Sequence, residues 1–360
     1  MLVSQYKIQK EYNVISGEKG VNYLTVLSVI SAFAVISLHT NGVFWNFSTQ
    51  HYWITANIIE CIYYFAVPIF FMISGATLID FKERYDLKSY YSKRFQRTVI
   101  PFIFWSIIGL FFHVLFLKDI TVTQINALFI WNGIIKTSFV GVFWFFIPLF
   151  ICYLSIPLFA EVRKERRIKV FSGLISIAFI LNFLIPFLIN VFKLSIKWPI
   201  HLPIVEGHLF FILLGYVLSH GSINKKYRYF IYMGAIFGLL AHILGTYSLS
   251  IEAGKVIRTF KGFANVPSIF YSVGVFLFFK ENRNLIIKIG GGERLFGVLK
   301  KYTFPAYLLH WFVMKIFVIV FHINTFSIFY RLLAPFLIGA ICIGIAKVIR
   351  KLSMGRMILP

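Results

Sequence analysis

The chain has 360 residues, of which 59% are hydrophobic, 19% aromatic and only 14% charged, and its mean hydropathy is +0.80. A soluble chain of that length needs more charge to coat its surface, so the class is a polytopic membrane protein. The 36 Lys and Arg against 13 Asp and Glu give +23, but they fall in short loops between apolar runs, which argues for membrane topology and against nucleic acid as a partner.

The first twenty residues are polar and mixed in charge, and the apolar run after them has full spanning length. Residues 1–20 are therefore expected to be a cytoplasmic segment and not a cleavable signal peptide. Apolar runs of about 20 residues predict an all-α bundle of about ten transmembrane helices. In chain order these are 21–45, 57–79, 98–117, 139–160, 171–192, 201–220, 229–248, 262–279, 303–322 and 328–349. The stretch 125–135 is apolar but short, and is expected at the membrane interface. With these spans, 27 basic residues fall on the amino-terminal side and eight on the other, and Lys315 lies inside a span. That asymmetry places both termini in the cytoplasm. Residues 21–350 then form a single transmembrane domain and 351–360 a cytoplasmic tail. Three cysteines, Cys61, Cys152 and Cys342, lie in apolar segments with no paired spacing and read as small buried hydrophobes.

Ionisable groups inside apolar spans are expensive, so they mark function or a buried partner. His39 lies toward the outer half of the first span. Glu60, near the outer end of the antiparallel second span, is at similar depth. A carboxylate beside His39 would make a general base of it, while the plain alternative is an interfacial, water-exposed Glu60. In the loop Ser92-Lys93-Arg94-Phe95-Gln96-Arg97, Arg94 and Arg97 share a helix face and suit a phosphate, although positive-inside anchoring explains the charge as well. His310, in Tyr307-Leu308-Leu309-His310, is a second intramembrane histidine, with a core role and a functional role equally open. Lys315 is expected to snorkel to the outer interface. His51, His201, His220 and His322 lie near loops, and His113, His208 and His242 carry no clear signal. No histidine pair has metal-ligand spacing with a third ligand, so no metal site is expected. Gly290-Gly291-Gly292 lacks the Lys-Ser/Thr of a P-loop and reads as a connector.

Several segments resemble the membrane-bound acyltransferase family 3, especially its enterobacterial-common-antigen O-acetyltransferase branch. They are Val67-Pro68-Ile69-Phe70-Phe71-Met72-Ile73-Ser74-Gly75, then Arg94, Arg97, Pro101-Phe102 and Trp105. Phe143-Trp144-Phe145-Phe146 with Tyr153 and Pro157 follows, then Phe210-Phe211-Ile212-Leu213-Leu214-Gly215-Tyr216, and last Tyr307-Leu308-Leu309-His310. The resemblance spans nearly the whole chain. It implies transfer of an acyl group, usually acetyl from acetyl-CoA, to a hydroxyl of an extracytoplasmic glycan, by a multi-pass protein of a bacterial plasma membrane. His39 matches the family's catalytic histidine. Ser28 stands where the family has an arginine, Thr25 where an acidic residue is common, and Val142 where a histidine is common.

The expected partners are acyl-CoA, a polysaccharide or lipid-linked glycan acceptor and membrane lipids. Acetyl-CoA serves as donor substrate, with no permanently bound cofactor. Lys93, Arg94, Arg97 and Trp144 are expected to bind the donor. His39 is the expected base, with Glu60 and His310 as its possible supports, and Ser74, Tyr307 or Trp144 as oxyanion donors. An acyl-histidine intermediate is the covalent variant. Two other readings are a transporter of a glycan or lipid-linked sugar, and a catalytically degenerate accessory member.

Overall fold

The computed structural model describes residues 22–263 and 265–360, so the segment 1–20 lies outside the described residues. The first helix, α1 (Tyr23–Thr40), starts where the Asn22 side chain accepts a hydrogen bond from the Thr25 N–H at 2.9 Å, an N-cap that satisfies an otherwise orphan donor. It ends at Asn41. Helices α2 (His51–Tyr63) and α3 (Ala66–Leu78) follow, then α4 (Leu87–Arg94), α5 (Ile100–Phe112) and α6 (Ala127–Ile135). Next come α7 (Phe146–Ala160), α8 (Lys164–Ala178), α9 (Ile185–Val191), α10 (His208–His220), α11 (Lys225–Ala253) and α12 (Val266–Glu281). The chain closes with α13 (Arg283–Ile289), α14 (Gly292–Lys300), α15 (Thr303–Val320), α16 (Ile328–Ile349) and α17 (Gly355–Ile358).

Among the described residues, eight helical stretches are long and apolar enough to cross a membrane, against ten expected. The two that fall short are α10, with 13 residues, and α12, with 16. At 1.5 Å per residue they span about 20 and 24 Å, less than the roughly 30 Å of a hydrocarbon core. Both expected spans, 201–220 and 262–279, begin in irregular backbone, and apolar composition does not distinguish that from helix. The second stretch is longer than expected, His51–Glu83, because α2 and α3 run on through Tyr64 and Phe65. Segment 125–135 contains the nine-residue α6, too short to cross.

Two π-helical turns, Phe95–Val99 and Phe179–Leu184, sit just before Pro101 and Pro186. A proline has no N–H to give, and the wider turn absorbs the break without ending the rod.

Helix α1 is the hub, packed by α3, α12, α14, α15 and α16. The tightest pairing is α3 with α10. A Cβ on Gly75 would lie 1.8 Å from the Ile212 carbonyl oxygen, and one on Gly215 would lie 2.1 Å from that of Met72. Each glycine thus lets the other helix's main chain approach, as small residues do in membrane bundles. Lys280 on α12 caps the carboxyl end of α10, its Nζ donating to the carbonyls of Leu218, Ser219 and Gly221 at 2.8–3.0 Å. The 351–360 tail is folded back: Trp105 Nε1 donates to the Ile358 carbonyl at 2.9 Å, and Leu359 is fully buried.

The bundle has two chemically different ends. At the basic end, Asp80 bonds Arg167, with His220 Nε2 3.2 Å away, while Lys82 pairs with Glu161 and Lys164 with Glu83. The loops 41–50, 254–265 and 321–327 gather at the far end.

Candidate active site

His39 occupies the last turn of α1, at the far end of the bundle, and His310 faces it from α15. The rings stack with centroids 4.8 Å apart, and His310 Nε2 lies 2.8 Å from His39 Nδ1. His310 is fully buried, and its Nδ1 lies 2.6 Å from the Tyr307 carbonyl. A carbonyl only accepts, so Nδ1 of His310 carries the proton and its Nε2 offers a lone pair. His39 Nδ1 must then donate, which leaves the lone pair of His39 on Nε2. This tautomer assignment follows from the hydrogen-bond network with both rings neutral. Among the described residues no carboxylate forms an ion pair with either ring. The Val35 carbonyl, one turn earlier, is a second acceptor available to the His39 ring.

Glu60 is neither beside His39 nor exposed. It is buried, with Oε1 3.1 Å from Lys261 Nζ and Oε2 3.3 Å from Asn41 Nδ2. The depth expected from sequence holds, but the helix presents Glu60 to a different neighbour. Lys261 is itself buried, its ammonium 3.6 Å from the Tyr64 ring centroid and 4.6 Å from that of Phe44. On the other side Asn41 Oδ1 accepts from Arg331 at 3.4 Å, and Arg331 also donates to Thr55 Oγ1 at 2.8 Å and the Tyr52 carbonyl at 3.2 Å. Asn41 Nδ2 adds a bond to the Ala56 carbonyl at 2.8 Å. This chain from Arg331 through Asn41 and Glu60 to Lys261 braces the end of α1 that carries His39. Sequence reading missed Asn41, Lys261 and Arg331, because Lys261 looks like a loop charge and Arg331 like an interfacial one at the start of its span. The signal available was local: Lys261 sits between Phe260 and Phe263, an apolar setting unlike that of a solvated loop lysine.

The three expected oxyanion donors differ. The Tyr307 hydroxyl donates to the Val142 carbonyl at 2.7 Å, and Ser74 Oγ to the Phe70 carbonyl at 3.0 Å. Both are committed to backbone. The Trp144 indole N–H has no partner among the described residues. Trp144 is stacked on Phe263 at 5.5 Å, and Phe263 on Tyr64 at 4.3 Å, forming an aromatic seam on the far side.

The basic end brings together the other expected residues. Arg94 lies over the rings of Tyr90 and Tyr153, 5.9 and 5.5 Å from their centroids, and its Nε is buried without a partner. Lys93 lies 3.7 Å from the Tyr85 centroid, and Arg97 is exposed beside Arg94. None of the three forms an ion pair with a carboxylate among the described residues. Ser74 belongs here: Tyr153 contacts both it and Arg94. Trp144, expected with these cations, is instead at the far seam.

Thr25 and Ser28 are buried on α1, and Val142 is buried in the Gly141–Phe145 turn. All three are small or apolar and bring no charge to the bundle.

The fold and site are those of an integral-membrane helical bundle with a histidine pair held near one end and unpaired cations at the other. The model of acyltransferase family 3 (Acyltransferase domain) matches residues 21–349, and the chain belongs to that family. It is a membrane acyltransferase. No curated protein and no solved structure matches the chain.

Proposed function

We propose that the chain moves an acyl group, acetyl in the first instance, from cytoplasmic acyl-CoA to a hydroxyl of an extracytoplasmic or lipid-linked polysaccharide in a bacterial plasma membrane. The observation that carries this reading is the directed chain from His39 Nδ1 through His310 to the Tyr307 carbonyl, which leaves a basic lone pair on His39 Nε2. A sugar hydroxyl is a poor nucleophile at neutral pH, so a positioned base raises its rate by about 10²–10⁴. His39 Nε2 takes the hydroxyl proton as the sugar oxygen bonds to the thioester carbonyl carbon. The tetrahedral oxyanion then collapses, the C–S bond breaks, and the CoA thiolate recovers the proton from His39. His310 accepts from Nδ1 throughout and so holds the ring.

The donor's phosphates are anionic, and Lys93, Arg94 and Arg97 are neighbouring cations that form no ion pair among the described residues. Trp144 is the one expected oxyanion donor whose N–H is uncommitted. Resemblance to the enterobacterial-common-antigen branch favours a glycan acceptor.

The test is base-labile acetyl on surface glycans of three strains: a deletion, the deletion carrying wild type, and the deletion carrying His39→Ala at matched expression. Acetyl restored by wild type alone is expected. Restoration by both removes His39 from the mechanism. No difference between deletion and wild type turns the reading to another acyl group or to glycan transport.

A further inference from the structure

Two cavities adjoin at the far end of the bundle. One, about 350 Å³, is lined by Gly207, His208, Phe211, Gly262, Phe263 and Asn265. The second, about 380 Å³, is lined by Asn182, Phe187, Asn190, Arg258 and Thr259, and again by Asn265. Asn265 is thus the shared wall. Both volumes lie in the range of about 300–1,000 Å³ typical of small-molecule sites.

Their polar groups are not used up by the fold. Asn265 Nδ2 donates to the Thr259 carbonyl at 2.5 Å, but its buried Oδ1 has no partner among the described residues. His208 Nε2 is likewise buried without a partner among the described residues. Buried polar atoms are nearly always bonded, so two unmet ones on cavity walls point to a ligand that meets them. Arg258 lies over the Trp45 ring at 4.7 Å and forms no ion pair among the described residues. Asn182 behaves differently. Its Nδ2 donates to the carbonyls of Leu202 and Val205, and its Oδ1 accepts from the Leu202 N–H at 2.7 Å, so it only shapes the wall.

Phe263 supplies an aromatic surface within the seam it forms with Trp144 and Tyr64. Two residues from Trp144, the Val142 carbonyl holds the Tyr307 hydroxyl, and Tyr307 in turn holds His310. The Gly141–Phe145 turn therefore touches both Phe263, on the wall of the first cavity, and Tyr307, which holds His310.

We infer that the paired cavities bind a monosaccharide unit of the acceptor, its hydroxyls donating to Asn265 and His208. This rests on the acyl-transfer reading above. The chemistry is that of a polyhydroxylated ring: amide and imidazole acceptors on the walls, Phe211 and Phe263 on the apolar side, and Arg258, Thr259 and Asn190 offering further polar contacts. A CoA phosphate would be drawn instead to the opposite, cationic end, and a lipid tail would leave Asn265 and His208 unmet.

The experiment is a titration of the full chain in detergent with methyl glycosides of glucose, galactose, N-acetylglucosamine and glucuronic acid, followed by intrinsic tryptophan fluorescence. Saturable binding of at least one glycoside is expected. Asn265→Leu and His208→Phe should each weaken it about tenfold or more, as one lost buried hydrogen bond allows. A cooperative melt like that of wild type checks the fold of each variant. If either variant melts abnormally, the rim variants Asn190→Ala and Thr259→Val decide, with a smaller but measurable weakening expected. No glycoside binding to wild type, or full binding by all the folded variants, overturns the site. Glycoside binding without any acetyl transfer supports the site and refutes the acyl-transfer reading, so the two fail separately.

Discussion

Lys261 and Glu60 are joined by an ion pair at 3.1 Å inside the bundle, the lysine side chain fully enclosed and the carboxylate nearly so. The pair ties the 254–265 connector to α2. Removing one partner of a buried pair leaves a bare charge and costs about 3–5 kcal/mol, whereas replacing both with apolar groups is often neutral. Glu60→Leu should therefore lower the thermal midpoint sharply, and Glu60→Leu with Lys261→Met should recover most of it. A double variant as unstable as the single one would sink this account of the network.

In the proposed mechanism His310 positions His39, which its Nε2 reaches at 2.8 Å, and does not itself touch the substrate. Glutamine can accept from His39 Nδ1 through its carbonyl and donate to Tyr307 through its amide, so His310→Gln should keep turnover within about tenfold of wild type. His310→Leu removes the acceptor and should lose about 10²–10⁴. The pH–rate profile of His310→Gln should move while its melting curve does not. Equal loss in both variants would mean that His310 is packing alone.

Arg94 and Arg97 are assigned to the donor's phosphates. Arg94→Ala and Arg97→Ala should each raise the KM for acetyl-CoA about tenfold, the scale of one charge-assisted contact, with a smaller change in kcat. Acetyl-pantetheine lacks those phosphates and should not distinguish the variants from wild type. If it does, the arginines act by holding the fold.

Gly75→Ala and Gly215→Ala place a methyl group against main chain that has no room for it. Overpacking usually costs about 1–3 kcal/mol and here has no flexible side chain to displace. Each variant should give less folded protein on size exclusion and a lower melting midpoint. Normal behaviour would show that α3 and α10 separate easily.

Much of this was legible in the sequence because it is written in runs. Eight apolar stretches of spanning length, the basic loops at one end and the motif glycines all appear in local composition. What escaped depends on rotation and on breaks in helical backbone. Glu60 lies at the depth its position suggests, but half a turn decides whether it meets His39 or Lys261. Lys261 counts as a loop charge and Arg331 as a charge at the end of a span, yet aromatic rings and backbone carbonyls draw both inward. Spans 201–220 and 262–279 are predominantly apolar, but regular α-helix begins only at His208 and Val266. The pairing of His39 with His310 joins residues 271 apart, and nothing local encodes it.

Helices α3 and α10 meet through their main chains at Gly75 and Gly215. Such a contact has no rotamer to turn and no slack to take up. Molecules entering the protein must therefore pass on one side or the other of a rigid central partition. Any widening they require is left to the rest of the bundle, because this seam has no side chain to move aside.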